Sequence, residues 1–129
     1  MIYPICFEMS NYKVIIFETE SGKAPVKDFL LSLDPKMRAK MARTINLLEA
    51  NGMELREPFS KYIGDDIFEL RAKVGTDISR VLYFFFVGKT IVLTNGFIKK
   101  TRRAPRREIK LAKKYRKTYI ERKEKQNGV

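Results

Sequence analysis

Histidine is absent from this 129-residue chain, and cysteine occurs once, at Cys6. Without an imidazole, Ser-His-Asp and Cys-His catalysis, histidine-based zinc sites and histidine general acid–base chemistry are all excluded. An enzyme built from this chain works with Lys, Arg, Tyr, Glu and Asp. A single thiol closes no internal disulfide and has no second thiol with which to share a metal, so Cys6 reads as a small apolar side chain. Long apolar runs are missing too. The longest, Val81 to Val87, has seven residues, far below the roughly 20 that a membrane helix needs. Met1 to Met9 contains Pro4 and Glu8 and no basic stretch, so it does not read as a signal peptide, and the expected location is the cytoplasm with no membrane partner.

Acidic residues are scarce where basic ones are dense. The chain carries 27 Lys and Arg against 15 Asp and Glu, a formal charge of +12. Residues 99–125 hold fourteen of the basic side chains and three of the acids, an excess of eleven, while the rest of the chain is nearly neutral. Charge segregated in this way repels itself and is best explained by a polyanionic partner, here RNA. With 44% apolar residues beside 33% charged ones, the chain reads as globular, not disordered. The expected organisation is one domain over residues 1–129, with 1–10 an N-terminal extension and 120–129 a basic tail; Met9 is an alternative start to Met1.

Local signals give the element order. Tyr12–Glu18 is β-branched and aromatic and reads as a first strand. Pro25 opens a short helix with Val26, Phe29, Leu30 and Leu33 on one stripe. Asp34-Pro35 restarts the chain as a second helix running to about Asn51, with Met37, Met41, Ile45 and Leu48 inward and Gly52 as its stop. Met53–Asp65 reads as a loop. Ile67–Val74, Ile78–Val87 and Thr90–Ile98 then form an antiparallel meander through turns at Gly75-Thr76-Asp77 and Gly88-Lys89. A last helix runs from Pro105 to about Lys123. The fold class is therefore α+β: strand, two helices, three strands and a C-terminal helix, with one mainly antiparallel sheet covered on one face by the helical pair.

Ile67–Val74 alternates, with Phe68, Leu70, Ala72 and Val74 on one face and Ile67, Glu69, Arg71 and Lys73 on the other. The second set is either a charged, solvated surface or a site. Arg80 lies across the hairpin from the end of that strand, so Arg71 and Arg80 can share a face. Like charges facing each other across a sheet are destabilising unless an anion joins them, which points to a phosphate. Asn95-Gly-Phe-Ile-Lys-Lys100 ends the third strand. Phe97 is either core or a stacking platform for a base, with Lys99 and Lys100 supplying charge beside it. Tyr83 lies among phenylalanines and reads as core or as a contact to substrate.

Ile67-Phe-Glu-Leu-Arg71, Arg80-Val-Leu-Tyr83, Gly96-Phe-Ile-Lys-Lys-Thr101 and Pro105-Arg-Arg-Glu-Ile109 with Ala112 form an ordered series. From Tyr12 to about Tyr119 the chain resembles the RelE/ParE superfamily of toxins from type II toxin–antitoxin systems, and is most similar to the HigB-type, phage Gp49-like branch. The resemblance implies a RelE-like fold and a ribosome-dependent mRNA interferase that uses neither metal nor cofactor. It implies a cognate helix-turn-helix antitoxin, HigA-like, that neutralises it in a heteromeric complex. In the implied reaction the 2′-OH attacks its own 3′-phosphate and leaves a cyclic phosphate and a 5′-OH. Arg71 and Arg80 would stabilise the developing charge, Lys99 would hold the phosphate or protonate the leaving oxygen, and Glu69 would accept the 2′-OH proton. Phe97, Lys100, Lys73 and Tyr83 would contact substrate. Arg102, Arg103, Arg106, Arg107, Lys110, Lys113 and Lys114 would grip the ribosome. The antitoxin surface falls either on the basic helix or on the polar faces of the first two helices, with Lys36, Arg38, Lys40 and Arg43. A ParE-like gyrase inhibitor on the same fold and a non-catalytic rRNA-binding protein are the alternatives.

Overall fold

Asp34 shows how closely local chemistry sets this fold. Its side chain accepts hydrogen bonds from the amides of Lys36 and Met37 at 3.0 and 3.1 Å, and Pro35 supplies a first helical residue that needs no partner for its nitrogen. The computed structural model describes residues 11–98 and 104–127. Its elements are β1 (Lys13–Ile16), α1 (Pro25–Ser32), α2 (Pro35–Asn51), a short 3-10 turn (Gly52–Glu54), β2 (Ser60–Gly64), β3 (Ile67–Val74), β4 (Asp77–Phe86), β5 (Thr90–Ile98) and α3 (Arg106–Gln126). The strands form one sheet in the order β1-β5-β4-β3-β2. β1 runs parallel to β5 and the remaining pairs are antiparallel. This is the α+β arrangement expected from the sequence, consistent with a RelE-like fold.

α1 and α2 cover one face. Val26, Met37, Met41 and Leu48 pack there against Leu70, Val81, Tyr83, Ile91 and Leu93. The opposite face is not open. α3 lies across it and buries Phe17, Phe84, Val92 and Tyr119 in one cluster and Ile67, Leu82, Phe97 and Ala112 in another. The face that reads in sequence as Ile67, Glu69, Arg71 and Lys73 is therefore half covered, and both Ile67 and Glu69 are buried.

Two further features depart from the sequence reading. β2 falls inside the stretch expected to be a loop; it is an edge strand whose middle residues are exposed, so it lacks the alternation by which strands are read. In β5, Leu82 pairs with Asn95 but Tyr83 pairs with Leu93, leaving Thr94 as an extra residue whose hydroxyl donates to the Leu82 carbonyl at 3.1 Å. This bulge reverses the parity of the strand beyond it. Phe97 thereby faces α3 instead of the helical pair.

Gly52 closes α2 with φ 55°, and a Cβ there would stand 1.9 Å from the Tyr12 ring. Gly52→Ala is expected to lower stability by about 2–4 kcal/mol through combined overpacking and backbone strain, seen as a lower urea midpoint with an unchanged slope.

Candidate functional site

β3 and β4 are joined by the two-residue turn Gly75-Thr76, with Gly75 at φ 62°. The tight turn fixes the register, and Arg71 stands directly opposite Arg80. Alternation puts Glu69 on the same face, one step along β3. Its Oε1 accepts from both guanidinium groups: from Arg71 Nε at 3.2 Å and, through a short bond, from Arg80 Nη1. The anion that relieves the arginine pair is thus supplied in part by the protein itself.

The three side chains differ in access. Glu69 and Arg80 are 1% and 6% exposed, whereas Arg71 is 21% exposed. Burial pushes the Arg80 guanidinium below its usual value; the Glu69 carboxylate pulls it back up, and the like charge of Arg71 adds to the fall. Among the described residues, Glu69 Oε2 and Arg80 Nε have no hydrogen-bond partner. Beside the trio opens a cavity of about 290 Å³, walled by Arg71, Arg80, Lys73 and Ile78 of the sheet, Lys40 and Thr44 of α2, and Pro58 and Phe59 of the segment before β2. Four of these side chains are basic and none is acidic. Two guanidinium groups against one carboxylate, with Lys40 and Lys73 at the rim, make a seat for an oxyanion held by charge-assisted hydrogen bonds.

The sequence-derived site residues divide on this geometry. Arg71, Arg80 and Lys73 meet at the cavity. Glu69 joins them, but as the buried carboxylate that orients both arginines; with almost no exposed surface it is not placed to take a proton from a substrate, which corrects the role of base. Tyr83 does not join them. It points into the opposite layer, stacked on Phe68 at 5.4 Å, and its hydroxyl makes a short bond with that of Ser60. Phe97 is no stacking platform either, because the Thr94 bulge turns it under α3 beside Ile67, Leu82 and Ala112. Lys99, Lys100, Arg102 and Arg103 lie outside the described residues. On α3, Arg106, Arg107, Lys110 and Lys114 are exposed, but Lys113 pairs with Asp65 at 2.5 Å. Arg38, read as part of a polar helix face, instead donates to the carbonyls of Leu30, Leu31 and Leu33 and so closes the end of α1.

Lys40, Pro58 and Phe59 are cavity residues that sequence reasoning did not assign to the site. Lys40 carried the only signal, a cation on a polar helix face; Pro58 and Phe59 had none, because they lie in a stretch read as loop. A further anchor was missed at Asn95, whose amide donates to the Glu108 carbonyl at 3.2 Å and to its carboxylate at 3.0 Å, fastening the start of α3 to β5.

Burial pushes the Tyr83 phenol up to about 12 from 10.0. The fold therefore holds the neutral phenol, and this stabilisation is complete below pH 10 and is lost as pH rises through 12, roughly 2–3 kcal/mol in all. Denaturant titrations across that window are expected to show a shallower alkaline loss of stability for Tyr83→Phe than for the unaltered chain.

A search among curated proteins finds no match. The model of the phage-derived Gp49-like protein family (DUF891) matches residues 28–117, a span that takes in the latter part of α1, all of α2, β2, the whole meander and the first half of α3 with every residue of the cavity. On this match, which covers more than two thirds of the chain, the protein belongs to the Gp49-like family, a family of RelE/HigB-like toxins.

Proposed function

We propose that this protein is the HigB-type toxin of a type II toxin–antitoxin system, a ribosome-dependent mRNA interferase that cleaves translated message without a metal. The observation that carries this reading is the register pair of Arg71 and Arg80, braced by Glu69 and open to a cation-walled cavity. In the reaction the 2′-oxygen bonds to the adjacent phosphorus as the P–O5′ bond breaks, leaving a 2′,3′-cyclic phosphate and a 5′-OH. Charge develops on the phosphoryl oxygens, and Arg71 and Arg80 meet it with donors already oriented by Glu69, so little reorganisation remains to be done. Lys73 at the rim, with Lys99 and Lys100 following the end of β5 in sequence, is the cationic group for the leaving oxygen. The exposed cations of α3 hold ribosomal RNA diffusely. A helix-turn-helix antitoxin neutralises the toxin in the cytoplasm.

A second reading has one observation in its favour. Glu69 already satisfies part of both arginines, as a purely structural network would, and a non-catalytic rRNA-binding protein needs no more than that.

Induction of the chain in growing cells, with primer extension on a translated message, separates the two. Cleavage within codons is expected, falling about a hundredfold or more with Arg71→Ala or Arg80→Lys while antitoxin binding persists. Intact message under the unaltered protein, or full toxicity of both variants, overturns the interferase reading. On α3, single replacements of Arg106, Lys110 or Lys114 by Gln are expected to weaken ribosome association by less than about threefold, and the triple replacement is expected to flatten its salt dependence.

A further inference from the structure

Phe59 is held half open at the junction of two cavities. Besides the arginine cavity it lines a second one of about 420 Å³, formed with Lys40, Arg43, Thr44, Asn46 and Leu47 of α2. Lys40, Thr44 and Phe59 belong to both, so the two adjoin, and the second extends as a groove along α2 beyond the arginine cavity. Phe59 and Leu47 are 38% and 39% exposed, which leaves an apolar floor uncovered. Lys40 and Arg43 stand along it, and no carboxylate lines either part.

The position of Phe59 is fixed from both sides. Its carbonyl accepts from the Arg71 amide at 2.8 Å, and its own amide donates to the Arg56 carbonyl at 3.0 Å. The next residue, Ser60, is tied through its hydroxyl to the buried Tyr83. The backbone that carries this exposed ring is therefore tied to that of Arg71, the residue whose side chain faces the oxyanion seat. Stacking on such a ring is helped because the segment that presents it needs no ordering on binding.

We propose that this groove is a nucleotide subsite: the base next to the scissile phosphate stacks on Phe59 and Leu47, and its backbone phosphate lies against Lys40 and Arg43. The inference rests on the ribonuclease reading above and names the part of the substrate that the sequence had given to Phe97. A strand whose scissile phosphate sits between Arg71 and Arg80 has its neighbouring nucleotide at the mouth of this groove. Asn46, with an amide that both donates and accepts, is the groove's polar side chain for reading a base edge.

The test uses ribosomes programmed with synthetic mRNAs that differ at the bases flanking the cleaved bond. Phe59→Ala is expected to lower kcat/KM about tenfold or more, mainly through KM, and to level the differences between purine and pyrimidine at one flanking position; Phe59→Tyr, which keeps the ring, is expected to retain both. Arg43→Glu, on an exposed helix position that does not endanger folding, is expected to lower cleavage and flatten its salt dependence. Should the unaltered protein cleave while Phe59→Ala and Arg43→Glu match it in rate and flanking preference, the subsite is wrong and the ribonuclease reading stands. If the same variants cleave normally but escape neutralisation by the antitoxin, the groove docks an acidic peptide instead, and the proposal falls. An unaltered protein that cleaves no message on the ribosome overturns both.

Discussion

The ion triad of Glu69, Arg71 and Arg80, with Glu69 and Arg80 buried and Arg71 partly open, is the interaction on which the rest of the site depends. Taking a carboxylate and a guanidinium out of water costs several kcal/mol each, and their attraction repays this only with good geometry. Here the geometry comes from the sheet. Two-residue alternation along β3 and direct opposition across the hairpin bring three charged side chains onto one face with no flexible segment between them. The carboxylate is single and the guanidinium groups are two, so a net positive charge is left beside the cavity. Glu69 Oε2 and Arg80 Nε, unpartnered among the described residues, mark where that network still has hydrogen-bonding capacity. A protein that needed these residues for stability alone would do as well with an apolar trio of similar volume.

Much of this was legible in the sequence, and most of what was not has a common physical cause. The caps at Asp34 and Gly52, the glycine turns and the apolar stripes are local signals, and they placed α1, α2 and the meander to within a residue or two of their observed bounds. That Arg71 and Arg80 could share a face was legible from the hairpin, but their direct opposition was not, because the turn has two residues instead of the three the glycine signal suggested. Three further things escaped. β2 has no pattern of its own and exists because β3 offers it an edge. The Thr94 bulge is a tertiary adjustment that reversed the side to which Phe97 points. The covering of the second face by α3 turned Glu69 from a solvated carboxylate into a buried one. Each depends on what packs against a segment, which local spacing does not encode.

α3 also shows that a run of charge is not a uniform surface. Arg116 donates to the Asp65 carbonyl at 2.5 Å and Arg122 to the Glu18 carbonyl at 2.6 Å. Arg122 also lies over the Phe17 ring, 5.1 Å from its centre, and the Lys113 ammonium beside Asp65 holds that carboxyl below its usual value. Long cationic side chains on this side use their stems to cover apolar surface and their heads to fasten the helix to the sheet edges. Arg106, Arg107, Lys110, Lys114 and Lys117 are left exposed. With Lys125, also exposed, this second group forms the outward electrostatic surface of α3 that a polyanion would meet.

The site itself sits where the two helical layers fail to meet, and a short strand is the reason. β2 pairs with β3 only as far as Leu70, so the edge of β3 beyond it has no neighbouring strand. The Phe59 carbonyl takes up the Arg71 amide there, which satisfies the backbone without closing the edge. Through that gap Lys40 of α2, from the helix-covered layer, reaches the same cavity as Arg71 and Arg80, from the α3-covered layer. A β2 longer by two residues would have paired with Arg71 and Ala72 and narrowed the space. The cavity is therefore a consequence of strand length, and its cations are brought together from opposite sides of the sheet because the sheet ends between them.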